Sequence, residues 1–202
     1  MARKKRVTGT IRRRQIIEKA TGLFSQLGFE RTTTAHLAAA CKISEPGLYR
    51  YFPSKEKLYS EVLKSLAEKI DTSELEREIE TQNDVDKILY SISQHLLNAY
   101  TSHTELYRLL LFCSLEGHPM TKKVLEIIRL PYINILNRAL ARLKRKNLIK
   151  PVNPLITAGC FTGMATECAL GANLWKGMQG REIKPEKTLK NTIPIFARGL
   201  KK

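Results

Sequence analysis

Acidic residues are scarce in this chain of 202: nineteen Asp and Glu stand against thirty-five Lys and Arg, which leaves +16 at pH 7 and a pI near 9.9. That balance belongs to a protein that meets phosphate or another anionic surface. Cysteine is sparse as well. Cys41, Cys113, Cys160 and Cys168 form no C-x-x-C pair and have no His at zinc-ligand spacing, so neither a disulfide scaffold nor a structural metal site is suggested. The thiols read as reduced and mostly buried, in a cytosol, and no metal or cofactor is expected. Long apolar runs are missing apart from Leu155 to Trp175, which holds one charged residue, Glu167. Because it also carries Thr157, Thr162, Thr166 and Asn173, it reads as a buried helix and not as a membrane span. Met1 to Arg6 is basic but leads into Val7-Thr8-Gly9-Thr10 and no apolar stretch, so it is no secretory signal. The expected location is the cytoplasm, with no membrane partner. Catalytic signatures are absent too: there is no G-x-S-x-G, P-loop, G-x-G-x-x-G or H-E-x-x-H, and His36, His95, His103 and His118 have no acids at triad or metal spacing. That disfavours an enzyme.

What remains is a globular chain, 43% hydrophobic and 27% charged, whose apolar residues recur at helical spacing with no strand-length alternation. The fold class is all-α, with about nine helices. A first helix spans roughly Ile11 to Leu27, with Ile16, Ala20, Leu23, Phe24 and Leu27 on one face and Gly28 as its stop. Thr33 caps a second, in which Leu37 and Cys41 face inward. Ser44 caps a short third with Pro46 in its first turn and Leu48 and Phe52 as an inward i, i+4 pair. Pro53 ends that helix, and Ser54 opens a fourth from Lys55 to about Ile70. Asp71 to Asp86 then holds seven acids against Arg77, a solvated acidic helix or linker. Five more helices are placed at Val85–Thr101, Glu105–Glu116, Thr121–Lys146, Pro154–Trp175 and Pro185–Leu200, with kinks at Pro131 and Pro194.

Charge concentrates at the front: residues 1–60 hold thirteen Lys and Arg against four acids. Seven of them (Arg3, Lys4, Lys5, Arg6, Arg12, Arg13, Arg14) precede or open the first helix, where cations oppose the helix dipole by a few tenths of a kcal/mol each. A polyanion beside them accounts for that cost; a solubilising basic tail is the other reading. Thr33 to Phe52 has the dimensions of a helix-turn-helix, whose second helix enters the major groove of DNA. Its outward residues are Glu45, Pro46, Gly47, Tyr49 and Arg50: small ones that let the backbone approach base edges, flanked by hydrogen-bonding ones. The Tyr hydroxyls of Tyr49-Arg50-Tyr51-Phe52 can meet backbone phosphates.

The run Thr33-Thr34-Ala35-His36-Leu37-Ala38 followed by Ile43-Ser44-Glu45-Pro46-Gly47-Leu48-Tyr49-Arg50-Tyr51-Phe52-Pro53-Ser54-Lys55-Glu56-Lys57-Leu58 resembles the N-terminal signature of the TetR family of bacterial transcriptional repressors, over roughly residues 11–63. The resemblance implies a three-helix DNA-binding head in residues 1–57 and a helical effector-binding and dimerising body in 58–202. It implies that Thr33 and Tyr49 touch phosphates, that Glu45, Pro46 and Gly47 face bases, and that Lys55 grips a phosphate where a helix N-terminus favours an anion. Ser44 caps the reading helix and Arg50 closes it. Two departures stand out. Lys42 occupies a turn position where the family usually has Gly, so either it is left-handed or the turn differs, and its side chain adds a cation there. Glu45 replaces a residue that is often basic; its carboxylate can accept from cytosine. The implied protein is a regulator, most simply a repressor, that binds a palindromic operator in double-stranded DNA as a homodimer and is released by a small-molecule effector.

In the body, His95, Tyr107, Phe112, Tyr132, Phe161, Met164, Glu167 and Cys168 are the aromatic, soft or ionisable residues of a candidate effector pocket. Each is also a candidate for core packing. Glu167 either is buried and needs a cationic ligand or basic partner, or faces solvent. Gly159 and Gly163, with Leu189, Ile193, Phe196 and Leu200 on the last helix, suit either a dimer contact or packing within one chain. A basic membrane-surface protein, a non-specific nucleic-acid binder and an unrecognised helical enzyme are the rival classes.

Overall fold

The computed structural model describes residues 9–173 and 184–202. The basic residues Arg3 to Arg6 and the end of the predicted Pro154–Trp175 helix at Trp175 lie outside that range. Among the described residues the regular structure is helical, as the periodicity requires, in eleven helices: α1 Gly9–Arg31, α2 Thr34–Cys41, α3 Glu45–Tyr49, α4 Lys55–Ala67, α5 Ser73–Thr81, α6 Val85–Ser102, α7 Thr104–Leu115, α8 Thr121–Ile128, α9 Leu130–Arg145, α10 Pro154–Asn173 and α11 Pro185–Leu200. The two beyond the expected nine have physical causes. The acidic segment folds as α5 because Leu75 and Ile79, four apart, are buried. Pro131 does not kink one long helix but sits in the first turn of a new one, where its missing N–H is not needed. α11 runs through Pro194.

The chain divides into two compact units, residues up to Lys69 with Glu105–Val124, and Ile70–Thr104 with Leu125–Lys202. This is a division by packing; a functional boundary after residue 57 is a separate statement. In the first unit α1 packs on α2 and α4, and α2 on α3, around Ile16, Phe24, Leu37, Leu48, Phe52, Leu58 and Val62. Gly28 has φ 79° and ψ 177° and interrupts α1 where the sequence expects its end. The Glu116 carboxylate accepts from the Phe29 and Glu30 N–H groups just beyond the break, at 3.3 and 3.5 Å. The Arg108 guanidinium donates to the Ser25 carbonyl at 2.9 Å. In the second unit α10 packs on α9, α6 and α11, and α5 lies on α6 and α9, with Glu76 of α5 paired to Arg138 of α9. Among the described residues no helix is long and apolar enough to cross a membrane.

Candidate nucleic-acid interface

The Thr33 hydroxyl accepts from His36 N–H at 3.1 Å and starts α2, leaving its own O–H free to donate. α2 ends on Lys42, which takes the left-handed conformation (φ 52°, ψ 49°); the N–H groups of Lys42 and Ile43 close on the Ala39 and Ala38 carbonyls at 3.0 Å each. Of the two possibilities left by the sequence, the first holds: Lys42 is left-handed and bears the strain. Lys42→Gly is expected to raise stability by about 1 kcal/mol by relieving the left-handed Cβ, measured as a rise in the urea midpoint. Ser44 accepts from Gly47 N–H at 3.2 Å and starts α3, while Leu48 and Phe52, 3% and 1% exposed, anchor it from beneath.

These anchors turn the opposite face outward: Lys42, Ser44, Glu45, Pro46, Tyr49 and Arg50 are exposed and Gly47 is half-buried. A Cβ at Gly47 would lie 3.1 Å from Ser44 Oγ, so the small residue keeps the cap intact. Glu45 is not a loose carboxylate, because Thr34 Oγ1 donates to its Oε2 at 2.6 Å and sets its direction. Lys55 half-buries its stem and donates from Nζ to the Phe29 carbonyl at 3.1 Å, 4.1 Å over the Phe29 ring. Two of its three donors remain for an anion.

Not all of the front cations face outward. Arg12 donates to the Cys41 carbonyl at 2.9 Å and to Gln15 at 3.1 Å, tying α1 to the end of α2. Arg13 lies 4.7 Å over the Phe52 ring and 3.0 Å from Glu61 of α4, and its hydrogen bond holds the Glu61 carboxyl below the usual carboxylate range. Both belong to the packing of this unit. The polyanion reading of the run therefore rests on the other cations.

The body candidates do not fall in one place. Tyr107, buried, and Phe112, half-buried, belong to the first unit. In the second unit His95 Nδ1 lies 2.9 Å from the hydroxyl of the buried Tyr132, and Nε2 lies 3.1 Å from the Asp71 carbonyl. A carbonyl only accepts, so Nε2 carries a proton, and in the neutral ring Nδ1 accepts from Tyr132. Burial pushes the Tyr132 phenol up and pushes Tyr100 up to about 12, where it hydrogen bonds with Thr166 of α10. Phe161 is buried against Phe196 with ring centroids 4.9 Å apart, Met164 and Cys168 are half-buried, and Glu167 is exposed. Glu167 thus meets solvent, the second of its two possible settings. Two clefts of this unit lie elsewhere: about 430 Å³ between α5, α6 and α11 beside Tyr90, Leu189 and Ile193, and about 460 Å³ between α5 and α9. Of the thiols, Cys41 and Cys113 are buried but Cys160 is exposed, so burial holds for half of them.

Residues 16–62 match the model of bacterial regulatory proteins, tetR family. The nucleoid occlusion factor SlmA of Haemophilus ducreyi is 30% identical over 135 residues, covering 62% of this chain and 64% of that protein. The match spans less than two thirds of that relative's length. Among solved structures, AibR in complex with isovaleryl coenzyme A and operator DNA superposes with a TM-score of 0.68 at 22% identity, over 91% of this chain and 97% of that one. The ketosteroid transcriptional regulator KstR2 of Mycobacterium tuberculosis gives 0.67 at 17% identity, over 98% and 100%. At these identities the two structures share a fold with this chain.

Proposed function

We propose that the chain, whose residues 16–62 match the model of bacterial regulatory proteins, tetR family, is a cytoplasmic, ligand-responsive repressor of that family that binds a palindromic operator as a two-fold dimer. The observation that carries this is the exposed row Ser44, Glu45, Pro46, Tyr49 and Arg50 on a short helix fixed from below by Leu48 and Phe52. Such a helix offers hydrogen-bonding groups to base edges and little bulk to keep the backbone away. Selecting bound fragments from the source genome tests it. A shared palindrome upstream of genes is the expected result, and fragments without a common sequence overturn it. A second reading follows from the likeness to a nucleoid occlusion factor: a shared site scattered along the chromosome and away from promoters favours that role over control of transcription.

Dimerisation is part of the proposal, because one head reads too few base pairs and two heads on one palindrome add theirs. Its support is three apolar side chains of α10 and α11 that meet solvent, Leu155, Ile156 and Ile195, 56%, 64% and 63% exposed. Sedimentation equilibrium is expected to give twice 23.0 kDa, and a monomer at micromolar concentration overturns the dimer. Gly159→Leu is the sharper probe. A Cβ there meets nothing within 4 Å of its own chain, whereas one at Gly163 comes 3.4 Å from Arg129; the Gly159 variant is expected to weaken the dimer and leave the monomer folded.

We propose that the effector, largely apolar, binds in the second unit beside His95, Tyr132, Phe161, Met164 and Cys168. What supports that class is the apolar isovaleryl group of the coenzyme A ester bound by AibR, whose coenzyme A part is itself anionic. Ligand and operator must then oppose one another by an equal factor.

A further inference from the structure

One strongly charged surface takes no part in the reading above. The segment after α9 and the end of α11 are bonded to each other: Ile149 bridges Lys201, and Lys150 N–H donates to the Leu200 carbonyl at 2.8 Å. Asn147, at φ 60°, closes α9, with Asn147 N–H on the Lys144 carbonyl and Leu148 N–H on the Leu143 carbonyl, both at 3.0 Å. Two helix C-termini therefore lie side by side.

Cations gather where helix carbonyls run out of partners, and Lys150 does that work at the end of α11, while the others are held by the loop and by side-chain amides. Lys144 donates to the Val152 carbonyl at 2.9 Å, Lys150 to the Arg198 carbonyl at 3.4 Å, Lys146 to the Asn83 amide at 3.1 Å, and Lys202 to the Asn147 amide. All four acceptors are neutral, so these bonds fix the side chains without cancelling their charge. Together with Arg145 and Arg198 they make six exposed cations, none of which pairs with a described carboxylate. Of the nearby acids, Asp86 pairs with Lys201, Glu76 with Arg138, and Asp84 caps α6, while Glu80 lines the cleft that Arg145 also lines.

We infer that this joined end of α9 and α11 is a second contact for the sugar–phosphate backbone of duplex DNA, independent of base sequence. Like charges held this close repel, and a polyanion relieves that repulsion and releases its own counterions. Each ammonium that caps a carbonyl keeps two donors for phosphate oxygens. A bilayer would need an apolar face as well; here Leu148 is the large apolar side chain of the loop that meets solvent, and the exposed Leu155, Ile156 and Ile195 of α10 and α11 are assigned above to the dimer. The inference does not rest on the helix-turn-helix reading.

The test uses the full chain with its exposed reading residues reversed in character, Tyr49→Asp with Arg50→Glu, and a short duplex of arbitrary sequence. Binding is followed by fluorescence anisotropy between about 50 and about 200 mM salt. Into this chain go Arg145→Gln, Lys146→Gln, Lys150→Gln and Lys202→Gln, which remove charge but keep a side-chain donor, and circular dichroism checks that both proteins are folded. The chain with the patch intact is expected to bind the duplex. Removing the four charges is expected to weaken binding at least tenfold at the lower salt and make the plot of log K against log salt shallower by about three to four. Equal binding with and without the four charges, or no binding by either protein, overturns the inference. Patch-dependent binding to phosphatidylserine vesicles with none to duplex overturns it too. Failure of the head reading looks different: operator selection that survives Tyr49→Asp with Arg50→Glu.

Discussion

Gly28→Ala is expected to destabilise the protein by roughly 2–5 kcal/mol, because it combines a backbone conformation closed to other residues with a filled contact. The φ of 79° with ψ of 177° lies in a region that essentially only glycine occupies. An added Cβ would also stand 2.5 Å from Glu116 Oε1 and 3.0 Å from Phe112 Cδ1. Neither can simply move away. Glu116 holds the Phe29 and Glu30 N–H groups, and Phe112 sits one turn before it on α7. A loss of this size is a large part of the about 5–15 kcal/mol that stabilises a typical domain. Urea unfolding followed by helical circular dichroism is expected to show a much lower midpoint. Glu116→Ala separates the causes: it removes the closest contact but keeps the Phe112 contact and the backbone penalty, so Gly28→Ala should cost less when made in Glu116→Ala than in the parent chain. A midpoint shift worth less than about 1 kcal/mol would mean that the break in α1 is not needed.

The contrast between Gly28 and its partner Glu116 shows what a single sequence carries. The break was legible because glycine after a helical apolar stripe is a local signal, as were the caps Thr33, Ser44 and Ser54 and the inward pair Leu48 and Phe52. What fills the space beside the break was not. Glu116 and Arg108 reach α1 from 83 to 87 residues away, and no periodicity encodes such a contact. The same division runs through the candidate site. The exposed set of α3 follows from helical period once Leu48 and Phe52 are placed, whereas the fates of Arg12 and Arg13 depend on which carbonyl, ring or carboxylate tertiary packing brings near. The acidic stretch after α4 read as solvated by composition. Two apolar residues four apart, Leu75 and Ile79, were the signal that it folds onto the bundle, a weak one among seven acids. α4 itself stops at Ala67, short of Ile70.

Glu45→Gln and Lys55→Ala are expected to fail in opposite ways, and that opposition tests the proposed roles at the head. Glu45 is exposed and directed by Thr34. Gln keeps an oxygen for the Thr34 hydroxyl and gains an amide donor, so folding is preserved while an acceptor at a base edge is changed. Discrimination among operator variants should shift by about 1–3 kcal/mol, with little change on duplex of arbitrary sequence. Lys55 is different, because its ammonium serves the Phe29 carbonyl before any phosphate arrives. Removing it leaves a partly buried carbonyl without its charged donor, at a cost of about 1–3 kcal/mol in stability. It also takes one phosphate contact from every duplex alike, so the slope of log K against log salt should fall by about 0.9 for each head bound. Competition binding over a panel of single-base operator variants, at two salt concentrations and well below the unfolding midpoint of each protein, measures both. If Lys55→Ala reorders the panel while Glu45→Gln scales all of its members equally, the base-reading and phosphate-holding roles are exchanged.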